Sequence, residues 1–342
     1  MIEPTHPAAP VTPLHALLAA NLCLPPEYRD QLTNHLPMAL HALHKLGAST
    51  QRMHDFYAGY ARRFQCLDAP TAVAESGLLR RDWQALRGHA DAYPALLTCF
   101  NDLVARQGVE TTLRLVLPDL LPGVAAAAFH GLIRTAHAVA AGHAGELAAA
   151  LAYWAWRWQA LATPPVVASK LDCKTWATRL VNDSVGWRSE GPLISIRMDD
   201  ASRSTVYQAL AGALTPAATL EARIAELAAF AVARYVANPN FTVLHMITGL
   251  RALRTLLPWI EQPDGVQAIL VHNFVAAYLA ARVVPLNQPP VARDATWAEV
   301  IAAAIDSNDD HVIKLVDACR AEAAAYGAGN YLRAAALAIG HG

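Results

Sequence analysis

Apolar residues recur at spacings of three and four along most of the chain, which is the pattern of amphipathic α-helices. Prolines and glycines divide this pattern into segments of helical length. Because strand patterns are nearly absent, the sequence predicts an all-α fold. The predicted helices are 14–22, a segment between Pro37 and Gly47, 49–64, 79–88, 91–107, 109–117, 122–142, 144–161, 173–183, 216–237, 241–257, 264–282, 294–305, 309–325 and 329–339.

One stretch departs from the helical pattern. Residues 186–207 are its least helical part, and the run from Gly191 to Arg197 alternates apolar and polar positions. We expect a short irregular or β-like segment there. No fixed-period repeat is visible, so a solenoid is not expected. The sequence predicts a flexible proline-rich start at 1–13 and a single compact multi-helix domain over 14–342.

Composition and charge narrow the classes of function. The 342 residues carry 27 basic and 28 acidic side chains, which gives no electrostatic footprint for nucleic acid or an anionic membrane. No apolar run has the length and uniformity of a membrane span, and residues 1–13 lack the features of a secretory signal. The five cysteines are far apart with no Cys-x-x-Cys pair, as expected of reduced thiols. We therefore expect a cytoplasmic protein without a membrane or nucleic-acid partner; nothing indicates its oligomeric state.

The candidate chemistry lies in the 14 histidines, because nucleotide, flavin, serine-hydrolase and zinc-protease fingerprints are absent. His130, Arg134 and His137 share a predicted helical stripe, and His245 lies on an apolar helix face. A buried histidine is usually a core residue that donates to a backbone carbonyl, and a solvated polar face also explains the His130 stripe. Several such histidines on separate helices instead favour a metal site between helices.

The other histidines are weaker candidates. His272 is the reserve candidate for a ligand. Most of the six histidines in polar surroundings are expected at the surface or beside the site; these are His41, His44, His54, His89, His143 and His341.

A histidine and a lysine lie three positions apart near the C-terminus. Asn308, Asp309 and Asp310 supply N-cap chemistry and negative charge for the helix that contains them. At 3.6 residues per turn, His311 and Lys314 lie about 60° apart and both point inward or nearly so. Because a lysine is rarely buried without a partner, Lys314 either extends to solvent along its stem or is held by an interior group.

Four segments, taken in order and spacing, resemble the questin oxidase-like family over essentially the whole chain. They are 34–38 with 42–48, then 129–134, 244–249 and 310–314, each centred on a histidine. The resemblance implies an oxidoreductase that uses dioxygen on an aromatic polyketide, an anthraquinone-like compound or another phenolic substrate. The implied reaction is ring cleavage or Baeyer–Villiger-type oxygen insertion.

The ring-cleaving branch of this family is implied to hold a mononuclear non-haem iron, Fe²⁺, with four histidines and a carboxylated lysine. Matched segment by segment, the implied ligands here are His35, His130, His245, His311 and Lys314. A carboxylated Lys314 would explain the inward-facing lysine, because a desolvated, neutral amine can take up carbon dioxide and become an anionic ligand. NADPH is a candidate electron donor.

Residues beside these ligands are candidates for further roles. Arg134, one turn from His130, is the candidate catalytic residue that stabilises a phenolate or developing oxyanion, with a surface ion pair as the competing interpretation. His137 lies about 10 Å along the helix from His130, too far to bind the same metal. The candidates for an aromatic pocket, which equally suit the core, are Tyr57, Tyr60, Trp154 and Trp158.

Two other functions stay open at this level. One is a monooxygenase without bound metal that takes electrons from a reduced nicotinamide. The other is a non-catalytic helical protein that binds a hydrophobic small molecule. Stoichiometric iron would separate the leading hypothesis from both.

Overall fold

The computed structural model describes residues 12–29, 31–64, 83–288, 290–292 and 294–340. Within them the chain forms fifteen α-helices and a single two-stranded antiparallel sheet, so the predicted all-α class is confirmed. The strands are β1 (Glu27–Tyr28) and β2 (Leu32–Thr33). The helices are α1 (Pro13–Asn21), α2 (Leu36–Leu46), α3 (Thr50–Ala61), α4 (Tyr93–Leu120), α5 (His130–Ala141), α6 (Ala144–Trp156), α7 (Cys173–Asp183), α8 (Ile194–Ser202), α9 (Thr205–Leu210), α10 (Leu220–Ala237), α11 (Phe241–Leu256), α12 (Pro263–Ala281), α13 (Trp297–Asp306), α14 (Asp310–Tyr326) and α15 (Gly329–Ile339).

Some of the sequence predictions concern residues outside the described part of the chain. Residues 1–11, Cys66, 79–82 and His341 lie outside the described residues. The described part of the predicted helix 79–88 contains only a 3₁₀ turn at Trp83–Leu86.

The flexible start and the single domain stay predictions. The domain prediction is supported by one continuous cluster of buried apolar residues, which reaches from α1 to α15. No described helix combines the length and the apolar character needed to cross a membrane.

Helix α4 is interrupted at Gly108, where φ is +76°, at the predicted division between 107 and 109. The expected end before Pro118 is wrong, because the helix continues to Leu120. A proline inside a helix removes one backbone hydrogen bond. Here the last turn is held by complete burial of Leu117 and Leu120.

The prediction of one helix over 122–142 is also wrong for its first third, which is not α-helical. A 3₁₀ turn ends at Gly123, and α5 begins only at His130. Between them Ala127, Ala128 and Phe129 have positive φ angles of 48°, 57° and 69°. Such angles are unfavourable for residues with a Cβ, and no glycine or asparagine marks this site in the sequence. Tertiary packing of the buried Phe129 stabilises the turn.

The segment expected to be irregular or β-like near 186–207 is irregular only over residues 186–193, and most of its remainder is helical. Helix α8 covers most of the alternating run, and α9 follows it. Ile194, Met198 and Ala201 lie at i, i+4 and i+7, which gives one helical face, and α8 packs on α12. No neighbouring strand is present among the described residues to pair with the run. The only described strands form a short hairpin before α2.

Four helices that pack on one another bring their N-terminal ends together. The contacts are α2 with α5, α5 with α11, and α14 with both α2 and α11. His35 is the N-cap of α2, His130 is the first residue of α5, and His311 is the second residue of α14. His245 lies one turn into α11. The packing of helices thus gathers four histidines from distant parts of the chain.

We predict that Gly131→Ala destabilises the protein. A Cβ at Gly131 would lie 2.6 Å from Trp154 Cβ and 2.7 Å from Trp154 Cα, where the backbone of α6 cannot easily move. The expected cost is about 1–3 kcal/mol in the free energy of unfolding, measured with urea. The matched control is Gly265→Ala in α12, where the new Cβ would meet no atom within 4 Å beyond its chain neighbours and the nearby backbone of its own helix. Equal stability of the two variants would contradict the predicted close approach of α5 and α6.

Candidate metal centre

The Nε2 atoms of the gathered histidines approach one another closely. His130 Nε2 lies 2.8 Å from His35 Nε2 and 3.1 Å from His245 Nε2. One ring nitrogen from each of His35, His245 and His311 lies within 4.8 Å of the others. His311 is the most accessible, with 21% of its side chain exposed. The structure therefore brings together all four histidines implied by the resemblance.

Backbone carbonyls determine which nitrogen carries the proton in two of the rings. His130 Nδ1 donates to the carbonyl of Ala127, and His245 Nδ1 donates to the carbonyl of Phe241 at 2.8 Å. A carbonyl oxygen only accepts, so each Nδ1 carries the hydrogen and each Nε2 keeps a lone pair. In neutral rings these two lone pairs face each other at 3.1 Å without a proton between them. A cation between them would remove this repulsion.

The carboxylate of Asp310 makes the corresponding contacts with the other two rings. His35 Nδ1 donates to Asp310 Oδ1 at 2.6 Å, and His311 Nδ1 lies 3.1 Å from the same oxygen. His311 Nε2 is buried without a hydrogen-bond partner among the described residues. A carboxylate on the outer nitrogen orients a histidine and makes its inner nitrogen a better ligand. All four Nε2 atoms are thus available for a ligand in the interior.

Lys314 lies inside the cluster with its amine buried. The residue is 3% exposed, and its Nζ lies 3.5 Å from Asp310 Oδ1. Burial lowers the pKa of Lys314, and the charge of Asp310 opposes that shift. The alternative that the lysine extends to solvent is wrong. A buried amine with a lowered pKa is the form that can react with carbon dioxide.

Burial keeps His35, His130 and His245 neutral. Desolvation lowers the pKa of His35 to about 3, with a further contribution from the charge of Lys314. Desolvation also lowers the pKa of His130 and His245 well below the usual value, and neighbouring histidines and Lys314 add to it. Metals bind neutral imidazole, so these three histidines are in the protonation state that a metal requires.

Asp310 is the residue of the cluster that the sequence analysis missed, because it was assigned only to the charge of the helix start. Although burial raises the pKa of this carboxyl, His35 and Lys314 lower it well below the usual value. Arg63 lies 3.4 Å from its second oxygen. The signal in the sequence was the i, i+4 spacing of Asp310 and Lys314, which places both on one helix face.

Arg134 forms a buried ion pair with Glu146. Its Nε and Nη2 donate to Glu146 at 2.6 and 3.0 Å, and both side chains are buried. The competing interpretation as a surface ion pair is therefore wrong, because the pair is buried. Since Glu146 occupies the guanidinium fork, the catalytic role predicted for Arg134 has no support in the structure.

His137 and His41 form a separate buried pair. Their Nδ1 atoms lie 2.8 Å apart, and the expected polar surroundings of His41 are wrong. Desolvation lowers the pKa of His41 to about 3 and that of His137 well below the usual value, and the charge of Arg251 adds to both shifts. His137 thus contacts His41 and not the Nε2 cluster.

The remaining candidates lie away from the centre or in the core. His272 is half-buried and lines a separate cavity. Tyr60 is buried, and its hydroxyl accepts from the backbone N–H of His35 at 3.1 Å. Trp154 is buried and donates from Nε1 to the Gly123 carbonyl.

A cavity of about 570 Å³ opens in front of His35, His130 and His311. Cavities of this size hold small organic molecules. Its polar part contains the ion pair of Glu27 and Arg157. The apolar part of the wall contains Tyr28, Leu32, Leu193, Ile194 and Phe241.

The fold and this site define an all-α protein with a buried four-histidine centre beside a cavity for a small molecule. The family model described as Questin oxidase-like matches residues 32–319, a range that includes every residue of the centre. The chain belongs to the questin oxidase-like family. A search of curated proteins gave no match. The family description suggests an oxidoreductase with a small-molecule substrate.

We predict that the metal-free protein loses stability as pH falls from about 6.5 towards about 4. Histidines that stay neutral when folded bind protons near pH 6.5 when unfolded, so acid favours unfolding. Removing one of them with His41→Gln should reduce the slope of unfolding free energy by up to about 1.4 kcal/mol per pH unit. Urea titrations at several pH values measure it, with the exposed His54→Gln as control. An unchanged slope in His41→Gln would contradict the pKa assigned to this histidine.

Proposed function

We propose that this protein is a non-haem iron oxygenase that uses dioxygen to attack an aromatic or phenolic substrate, by ring cleavage or oxygen insertion. The observation that carries the proposal is the meeting of Nε2 lone pairs from four histidines beside a cavity of organic-ligand size. Imidazole nitrogen suits iron, and open positions on such an ion are where oxygen chemistry takes place. The family description supports the oxidoreductase class.

The proposed ligands are the four histidines and Lys314 in carboxylated form. When bound, ferrous iron would supply the activation of dioxygen, which protein side chains cannot provide. Carboxylation joins the neutral amine to carbon dioxide, forms an N–C bond and releases one proton. The remaining N–H of the carbamate can donate to Asp310, whose Oδ1 lies 3.5 Å from Nζ. The carbamate would complete the donor set with an anionic oxygen.

The cavity wall would bind and orient the substrate. Its apolar residues, including Leu193 and Ile194, favour a flat hydrophobic ring system and exclude water. Glu27 and Arg157 at the polar part offer an acceptor and donors to hydroxyl or carbonyl groups. NADPH remains a candidate electron donor within this proposal.

The two alternative functions without a metal do not explain why the histidine nitrogens face one another. A nicotinamide-dependent monooxygenase or a simple binding protein has no need for lone pairs that face each other at 3.1 Å. Burying polar groups without partners is costly, so such an arrangement needs a ligand to offset it. The iron proposal supplies that ligand.

We predict that protein purified without oxygen carries close to one iron per chain, measured by elemental analysis. Removing the iron with a chelator should abolish oxygen uptake with a hydroxyanthraquinone, and ferrous iron should restore it. Zinc, which has no redox chemistry, is the matched control for refilling the site. Oxygen uptake that survives complete removal of metal would favour the nicotinamide-dependent alternative.

We predict that Lys314→Ala loses iron and activity but keeps the fold. The variant removes the proposed anionic ligand and should weaken iron binding by about tenfold or more, while alanine suits the helix. Bound iron, oxygen uptake and thermal stability are the measurements, and acetate should partly restore iron binding by filling the vacated position. Lys45→Ala, which removes a half-exposed lysine paired with Asp317, is the control. Unchanged iron and turnover in Lys314→Ala would end the carbamate hypothesis.

A further inference from the structure

A second cavity reaches the histidine cluster from another side. It has a volume of about 400 Å³, and its wall includes Leu244, Leu286 and Asp309. It shares two residues with the larger cavity, Phe241 and His311. The two spaces therefore meet at one histidine and one aromatic ring.

The side chain of Phe241 lines both spaces. Its ring centroid lies 4.7 Å from the ring centroids of both His245 and His311. Although it packs on two buried or half-buried rings, Phe241 is 54% exposed. A large apolar side chain with this much exposure is unusual beside a functional centre, and here the exposed surface faces two cavities.

The backbone of Phe241 is held in place. Asn240 Oδ1 accepts from the N–H groups of Thr242 and Val243 at 2.9 and 3.2 Å, which caps α11. The carbonyl of Phe241 accepts from His245 Nδ1. The residue can therefore change the shape of the two cavities only by rotating its side chain.

We propose that Phe241 determines which substrates fit, because its ring is the partition that ends the larger cavity. An organic ligand that enters past the hairpin meets this ring and is kept out of the smaller cavity. Replacing the ring with a methyl group joins the two spaces. Assigning the larger cavity to the substrate rests on the function proposed above; the partition itself rests on the two cavities and the position of the ring.

The test uses 4-alkylphenols with tails of increasing length as a molecular ruler. Binding to the full-length protein is measured by calorimetry under anaerobic conditions, with and without iron, so that no turnover is needed. Each buried methylene should tighten binding roughly fourfold until the tail reaches the partition, after which the gain stops. In Phe241→Ala the gain should continue for about three further methylenes. The longest of these tails should then bind the variant on the order of 50-fold more tightly, in Kd, than the tail at which the gain stops in wild type.

Three further variants control the test. Phe241→Leu keeps an apolar side chain at the helix start and should give an intermediate limit. Phe241→Ala with Leu286→Trp refills the smaller cavity and should return the limit to that of wild type. Leu115→Ala removes an exposed apolar side chain that lines neither cavity and should change nothing. The same limiting tail length in wild type and Phe241→Ala, or a gain that survives Leu286→Trp, would overturn the proposal.

The outcomes also separate this inference from the proposed function. If turnover depends on iron but the limiting tail length is the same in wild type and Phe241→Ala, the partition is rejected and the oxygenase proposal is retained. A shifted limit in protein that binds no iron would establish the partition and reject the oxygenase.

Discussion

The centre depends on the contacts that the buried carboxylate of Asp310 makes with neighbouring side chains. This carboxylate joins α14 to the start of α2, because its Oδ1 accepts from His35, 275 residues away, at 2.6 Å. The same oxygen lies near His311 and Lys314. Burying a carboxylate is costly unless charges and hydrogen bonds compensate it, and removing one partner leaves the rest uncompensated. The register of α14 against α2 is therefore coupled to the orientation of the histidines.

Around this carboxylate the protein fixes the orientation of the histidine rings. Carbonyls of Ala127 and Phe241 hold the outer nitrogens of His130 and His245, so both inner nitrogens are unprotonated. Burial keeps the rings neutral. Four helix N-termini also meet here, and their positive ends favour negative charge. That polarity suits an anionic ligand such as a carboxylated lysine.

The close approach of these helices depends on small residues and a strained turn. Gly131 allows α5 to lie against Trp154. Gly249 on α11 leaves room for Phe129, because a side chain at position 249 would place its Cβ only 3.0–3.2 Å from the ring atoms of Phe129. Phe129 is the last of three residues with positive φ. Backbone strain of this kind persists where surrounding packing determines it, often at functional sites. Here it directs His130 into the centre.

Spacing and periodicity in the sequence determined the helical class, most helix positions and the inward direction of His245, His311 and Lys314, because these follow from local repetition along each helix. His35 entered through the family resemblance. Tertiary structure alone decided three contacts. Asp310 links two histidines, Arg134 forms an ion pair with Glu146, and His41 pairs with His137. Tertiary structure also decided the turn at 127–129 and the helix at 194–202. These features depend on contacts between residues distant in sequence, and the energy of such contacts outweighs the local preferences that a sequence pattern reports.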